Sequence, residues 1–235
     1  MDSQSLVLFP LWYAAFLLSL TCHEAAHAWV ARLGGDDTAY EAGQVSLNPW
    51  PHLRREPVGT IVVPLMTYFL FSSSVHWMMG WASAPYSPDW ELRHPRRAAA
   101  MSIAGPAANF LLFGLAFAAL KLGLGSGAWV EPDQLLLDQL VKPAAGTFPA
   151  LEGIGRFLSV VFCLNLILWL FNLIPVPPLD GAGVVSGFSA PLRGFYARIR
   201  AMPVMSVVGI LLAWKLAPII VSPALGLAVA FLHGG

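Results

Sequence analysis

Several apolar segments of the chain are long enough to cross a lipid bilayer. Residues 6–33, 98–122 and 157–174 each read as a membrane helix, and residues 202–232 are apolar again. About 20 apolar residues suffice to span the hydrocarbon core. Charged residues make up 11% of the chain and hydrophobic residues 57%, whereas soluble domains carry about 25% charge. The sequence therefore predicts an all-α polytopic membrane protein with about four to six transmembrane helices.

The last apolar run raises a question of continuity. As a single helix, residues 202–232 would be roughly 45 Å long, against a hydrocarbon core of about 30 Å. Pro218 and Pro223 interrupt the run, so it forms either one kinked helix or two helices. We expect residues 1–235 to form one integral-membrane domain, with the functional core at about 6–185. The net formal charge of zero gives no indication of a nucleic-acid partner.

The first apolar segment ends in an unusual group of ionisable residues, within TCHEAAHAW. His23, Glu24 and His27 form the pattern H-E-x-x-H. Residues four apart share one face of a helix, so both imidazoles can bind one Zn²⁺, and Glu24 can act as general base. The alternative is a histidine pair satisfied by hydrogen bonds. Ionisable groups are costly inside a membrane, which favours the zinc site.

A zinc site of this kind needs a third protein ligand, and Asp180 in NLIPVPPLDG is the best candidate. The prolines before it end the preceding helix in an extended turn and fix the position of the carboxylate. An ordinary loop aspartate is the alternative. His52, His76 and His94 are rival ligands, and His76 also suits a role in substrate handling or gating because it lies in an apolar segment.

The three motifs HEAAH, AGPAANFLL and FNLIPVPPLDG, in this order, resemble the site-2 protease family of intramembrane zinc metalloproteases. The closest resemblance is to compact bacterial members without a PDZ domain. It implies that His23, His27 and Asp180 bind one zinc ion and that Glu24 is the catalytic base. It further implies a role for Asn172 in holding substrate or oxyanion.

Asn109 has the same two interpretations as Asn172, a substrate contact or a hydrogen bond between helices, and for Asn109 packing is favoured. Gly105, four residues earlier, allows close approach of helices. Residues 40–47 are predicted to form a short β-strand or hairpin, to which an unwound substrate strand can add. Departures from the family pattern, such as Gln44 and the GWASAP stretch, concern substrate handling and leave the ligands and the base intact.

The membrane topology follows from the need for His23 and Asp180 to meet at one metal. His23 lies near the far end of the first helix, and Asp180 lies just after the third clear span. The helix at 98–122 must then begin on that same side. Residues 58–81 therefore cannot cross fully, and we predict a re-entrant hairpin shielded by protein.

The distribution of basic residues supports the same topology. Only Lys121, Lys142 and Arg156 lie on the opposite side, and a larger set of arginines shares the side of the active site. That set is Arg32, Arg54, Arg55, Arg93, Arg96, Arg97, Arg193, Arg198 and Arg200. By the positive-inside rule this side is cytoplasmic. We expect a bacterial inner-membrane protein with its active site near the cytoplasmic face.

The function that these features predict is hydrolysis of peptide bonds in or near transmembrane segments of membrane-anchored protein substrates. A catalytically silent scaffold of the same fold and a zinc-binding transporter are the alternatives. A transporter would need further ionisable groups along the spans, where only Lys215 and His76 qualify. The sequence leaves the substrate, the oligomeric state and the role of Cys22 open.

Overall fold

The computed structural model describes residues 3–71 and 77–234. Almost all the regular structure in this part of the chain is helical, with one small pair of strands. In chain order the elements are α1 (Ser3–Leu33), α2 (Thr38–Glu41), α3 (Pro49–Arg55), a π-helical turn (Val58–Val62), α4 (Val63–Phe71), α5 (Pro88–Arg93), α6 (Pro95–Gly125), β1 (Trp129–Val130), β2 (Lys142–Pro143), α7 (Ala150–Asn172), α8 (Asp180–Phe188), α9 (Ala190–Arg200) and α10 (Pro203–His233).

Four of the described helices, α1, α6, α7 and α10, are long and apolar enough to span a membrane. The predicted all-α polytopic fold is therefore confirmed. Helix α7 begins at Ala150, earlier than its apolar run, and its first turns contain charged residues that form ion pairs. The guanidinium of Arg156 donates to Glu152 one turn before it and to the buried carboxylate of Asp138 in the preceding loop.

Helices α1, α6 and α7 pack around a common core that includes Trp12, Phe16, Leu120, Phe162 and Leu164, all almost fully buried. Lipid tails are as apolar as these side chains, so burial away from water does not by itself hold membrane helices together. Close packing and buried polar contacts do so instead. The polar contacts of this bundle concentrate where the three helices meet.

The segment between α3 and α5 turns back on itself. The Trp81 N–H donates to the Gly59 carbonyl at 3.0 Å, and the Met79 N–H donates to the Thr67 hydroxyl at 3.0 Å. The returning chain thus lies against the helix that it has just left, which is the geometry that a re-entrant hairpin requires. The tip of the predicted hairpin, including His76, lies outside the described residues.

The returning segment ends beside the C-terminal end of α1. The Asp36 carboxylate, just after α1, accepts a hydrogen bond from the Ser87 N–H at 2.7 Å and two more from Thr38. Burial raises the pKa of Asp36, but the hydrogen bonds from Thr38 and Ser87 outweigh that effect and hold the pKa below its usual value. A charged Asp36 therefore ties the end of α1 to the start of α5.

The predicted strand at residues 40–47 is wrong. Helix α2 begins at Thr38 instead, whose N–H donates to the Asp36 carboxylate, and Gly43, with φ of +71°, ends the turn that follows α2. Asn48 then caps α3 by accepting from the Trp50 N–H, with Pro49 at the first helical position. Local capping outweighs the weak apolar alternation of this stretch. The described pair of strands lies elsewhere, in the α6–α7 connection, where Trp129 pairs with Pro143 and Val130 with Lys142.

The C-terminal apolar run is one continuous helix, α10, with Pro218 and Pro223 in its interior. A proline removes one backbone hydrogen bond, and membrane helices tolerate this loss because neighbouring groups compensate for it. The far end of α10 is held by Lys121 of α6, whose ammonium donates to the carbonyls of Phe231 and Leu232. This contact places the ends of α6 and α10 on the same side of the bundle.

Candidate metal centre

His23 and His27 lie one turn apart on the buried face of α1. Both are almost fully buried, and their Nε2 atoms are 3.0 Å apart. His23 lies about 15 Å of helix, and His27 about 9 Å, before the end of α1 at Leu33. The spacing predicted from H-E-x-x-H is therefore realised with both imidazoles pointing at one place inside the bundle.

Asp180 completes the group from another part of the fold. The proline-rich turn after α7 breaks the helical hydrogen-bond pattern, and α8 begins at Asp180 itself. Asp180 Oδ2 lies 3.1 Å from His23 Nε2, and Oδ1 lies 3.3 Å from His27 Nε2. These three residues form the group of metal-binding type found among the described residues. His52 and His94 are not in it.

The opposite ring nitrogens of the two histidines face hydrogen-bond acceptors. His23 Nδ1 lies 2.6 Å from Asn109 Oδ1, and His27 Nδ1 lies 2.7 Å from the Met101 carbonyl oxygen. Each Nδ1 therefore carries the proton and donates it, which leaves a lone pair on each Nε2. Hydrogen-bonding the outer nitrogen in this way is usual for metal-binding histidines, because it fixes both tautomer and ring orientation.

The centre of the group is therefore rich in electron pairs and poor in protons. Two Nε2 lone pairs and a carboxylate converge, and among the described residues no hydrogen-bond donor reaches the buried Asp180 Oδ2. Such an arrangement is repulsive unless a cation lies between the donors. Two imidazoles and one carboxylate, with a further position left for water or substrate, are a donor set typical of catalytic zinc. The residues present fit a zinc ion.

Gly105 of α6 leaves the space that the imidazoles of His23 and His27 occupy. A Cβ atom at this position would overlap the imidazoles of both His23 and His27. Any other residue would push α6 away from α1 or displace the rings. The close approach of helices predicted for Gly105 is therefore found at the metal centre itself.

Glu24 follows His23 and is 4% exposed. It is next to His23 in the chain and does not belong to the group of His23, His27 and Asp180. A buried carboxylate beside the ligands is the position that a general base requires. Its catalytic role remains a prediction.

The other candidate residues have separate surroundings. The Asn172 amide donates to the Leu168 carbonyl of its own helix at 3.0 Å, and its role in substrate binding remains a prediction. His52 is buried and faces the Ser46 carbonyl oxygen, and His94 lies between α5 and α6. His76 lies outside the described residues. Cys22 is partly buried and forms no disulfide.

A cavity of about 100 Å³ adjoins Asp180 on the side of α5 and α9. Its polar lining includes Tyr86, Glu91, Ser102 and Arg200. Arg200 donates to the Tyr86 hydroxyl at 3.1 Å and to Glu91 at 3.2 Å. The metal centre is thus bordered by a polar space rather than by lipid-facing side chains alone.

Two contacts of the histidines were not predicted from the sequence. The Met101 carbonyl contact with His27 was not predicted, because nothing in the sequence marks one backbone carbonyl among many. The role of Asn109 as a partner of His23 was also missed. Its position in AGPAANFLL, within the same motif as Gly105, was the available signal.

The fold and the site together define a membrane-embedded metalloprotein with a His-His-Asp centre. The model of peptidase family M50 matches residues 12–216. The chain belongs to this family, the site-2 protease family, so the resemblance seen in the motifs is confirmed. The family and the donor set identify the metal as zinc.

Two relatives are similar over most of this chain. "Putative zinc metalloprotease YwhC" of Bacillus subtilis is 34% identical over 187 residues, which cover 79% of this chain and 72% of the relative. "Putative zinc metalloprotease Rip2" of Mycolicibacterium smegmatis is 30% identical over 182 residues, which cover 75% of this chain and 56% of the relative. No solved structure matches the chain significantly.

Proposed function

We propose that this protein is an intramembrane zinc endopeptidase that hydrolyses peptide bonds in or near the transmembrane segments of membrane-anchored proteins. The observation that carries the proposal is the convergence of His23, His27 and Asp180 inside the helix bundle, with the Glu24 carboxylate buried beside them. Membership of family M50 supports the same class of chemistry.

Different residues of the chain have separate roles in the proposed reaction. When bound, zinc supplies Lewis acidity, which polarises a peptide carbonyl and makes water easier to deprotonate. Asn109 and the Met101 carbonyl hold the imidazoles with their Nε2 lone pairs toward the metal position. Glu24 accepts a proton from the attacking water and later delivers it to the leaving amine. The polar cavity that Asp180 helps to line provides space for water beside the metal position.

The location in the membrane is part of the proposal. We place the protein in a bacterial inner membrane with the metal centre near the cytoplasmic face. The arginines near the end of α1 and the start of α6 support this orientation. The Arg97 guanidinium donates to the Gly34 carbonyl at 3.1 Å, so these two helix ends lie side by side.

Function and orientation can be tested in one experiment. Membrane vesicles containing the protein and a membrane-anchored reporter are prepared in inverted and right-side-out forms. We expect zinc-dependent cleavage in both forms. A membrane-impermeant chelator should abolish cleavage in inverted vesicles, where the cytoplasmic face is exposed, and added Zn²⁺ should restore it.

The other outcomes are equally informative. Inhibition only in right-side-out vesicles would refute the cytoplasmic placement. A zinc-loaded protein that cleaves none of a panel of membrane-anchored reporters would contradict the peptidase proposal and favour a silent scaffold. Zinc uptake into the vesicles would favour a transporter.

A further inference from the structure

A chain of buried amides links the metal centre to helix α7. Asn109 of α6 and Asn165 of α7 are both 0% exposed, and the Asn109 amide nitrogen donates to Asn165 Oδ1 at 2.7 Å. Asn165 is fifteen positions before Asp180 in the sequence and lies in the apolar run of a predicted membrane helix. Its hydrogen bonds go to Asn109, Ser19 and Val161, and it is not part of the group of His23, His27 and Asp180.

The donor and acceptor of each hydrogen bond between these amides follow from the contacts of Asn165, at the end away from the metal centre. The Asn165 amide nitrogen lies 2.8 Å from the Val161 carbonyl oxygen and 2.8 Å from the Ser19 hydroxyl. A backbone carbonyl can only accept, so the NH₂ group of Asn165 must face Val161. The Ser19 hydroxyl donates its own proton to the Ala15 carbonyl at 2.7 Å and is free to accept. The Asn165 oxygen is thereby turned toward Asn109.

The orientation of the Asn109 amide follows from that of Asn165. With an oxygen of Asn165 facing it, Asn109 must present its NH₂ group there, and the second proton of that group points to the Ser19 carbonyl at 3.4 Å. The Asn109 oxygen is left to face His23 Nδ1 at 2.6 Å. If Asn109 were flipped, its oxygen would lie against the oxygen of Asn165, and its NH₂ group would compete with the Nδ1 proton.

We infer that Asn165 is a positioning residue for the metal centre, which sets the tautomer of His23 through Asn109. The Val161 carbonyl fixes Asn165, Asn165 fixes Asn109, and Asn109 holds the His23 proton on Nδ1 so that the Nε2 lone pair faces the metal position. The inference rests on the zinc site and does not depend on peptide hydrolysis. A failure of the peptidase proposal would leave it standing.

The first test measures zinc affinity rather than activity. Asn165→Leu keeps a side chain of similar shape but removes the hydrogen bonds of position 165 to Val161 and to Asn109. We expect the Kd for zinc, measured by chelator competition on the full chain, to rise about 10–100-fold, the range typical of losing an outer partner of a metal ligand. Ser159→Ala is the matched control. Ser159 is also 0% exposed on α7 and hydrogen-bonded. Its hydrogen bonds go to Gly155 and Leu140 rather than to Asn109 or Asn165, so the zinc Kd should stay within about threefold of the wild-type value.

A second test, in an Asn109→Asp background, distinguishes loss of the Asn109 orientation from a general loosening of the helix packing. In Asn109→Asp, both carboxylate oxygens accept, so His23 Nδ1–H finds an acceptor whichever way the side chain is turned. We expect Asn165→Leu to cost little or no zinc affinity in this background. The absorption spectrum of the Co²⁺-loaded protein should change in Asn165→Leu and return toward the wild-type spectrum in the double variant.

Two results would overturn the inference. One is a zinc Kd for Asn165→Leu within about threefold of the wild-type value. The other is an equal loss of affinity from Asn165→Leu with Asn109 and with Asp at position 109, which would indicate a packing role. If Asn165→Leu fails to fold, Asn165→Ser serves instead, because a serine can still donate to the Val161 carbonyl but is too short to reach Asn109.

Discussion

Replacing Glu24 with alanine is expected to lower the rate of reporter cleavage by about 10²–10⁴-fold, the range contributed by general acid–base catalysis. Zinc should remain bound, because Glu24 lies beside the ligand group and is not part of it. The measurement is single-turnover cleavage of a membrane-anchored reporter, with zinc content determined on the same preparation.

Glu24→Gln is the matched control for this prediction. It retains the volume and hydrogen-bonding capacity of the side chain but cannot accept a proton as a base, so it should be nearly as inactive as Glu24→Ala. Turnover at the wild-type rate in either variant would end the assignment of Glu24 as the base. Loss of zinc together with activity would instead make Glu24 part of the metal site.

Replacing Asp180 with alanine is expected to lower zinc affinity and cleavage together. Among the three residues of the metal group, Asp180 is the one with negative charge, and its oxygens lie 3.1 and 3.3 Å from the two Nε2 atoms. Losing a direct ligand should cost more than the about 10–100-fold typical of losing an outer partner. Zinc content after dialysis against a weak chelator, and cleavage by the same sample, provide the measurement.

The rival histidines serve as controls for Asp180→Ala. His52 faces a backbone carbonyl and His94 lies at a helix boundary, both outside the group of ligands. His52→Ala and His94→Ala should therefore leave zinc content nearly unchanged. If zinc content is retained in Asp180→Ala but lost in His76→Ala, the third ligand has been misassigned.

The parts of the centre that local patterns determine could be predicted from the sequence. His23 and His27 share a face because the helix has 3.6 residues per turn. Asp180 has a fixed position because the prolines before it cannot continue the helix. The membrane topology stays a prediction, and it rests on the fact that two ligand segments that meet at one metal restrict which other segments can cross the membrane.

The parts that depend on several helices meeting could not be predicted. Which carbonyl of α6 faces His27, and which amide faces Asn109, depends on the rotation of α6 and α7 about their axes. Weak apolar periodicity does not fix that rotation in helices that are apolar on most faces. The incorrect strand at residues 40–47 has a different cause. Asn48 caps a helix directly after this stretch and Thr38 begins one directly before it, so short helices and turns replace the strand that the alternation predicts.

The most direct test of the zinc centre is X-ray absorption at the zinc edge of the purified, zinc-loaded wild-type protein. The geometry described above predicts one zinc ion per chain with two imidazole neighbours and carboxylate oxygen, at about 2.0–2.2 Å. The spectrum should contain no sulfur neighbour at about 2.3 Å, since Cys22 lies outside the ligand group. A sulfur neighbour, or a single imidazole, would contradict a centre built from His23, His27 and Asp180.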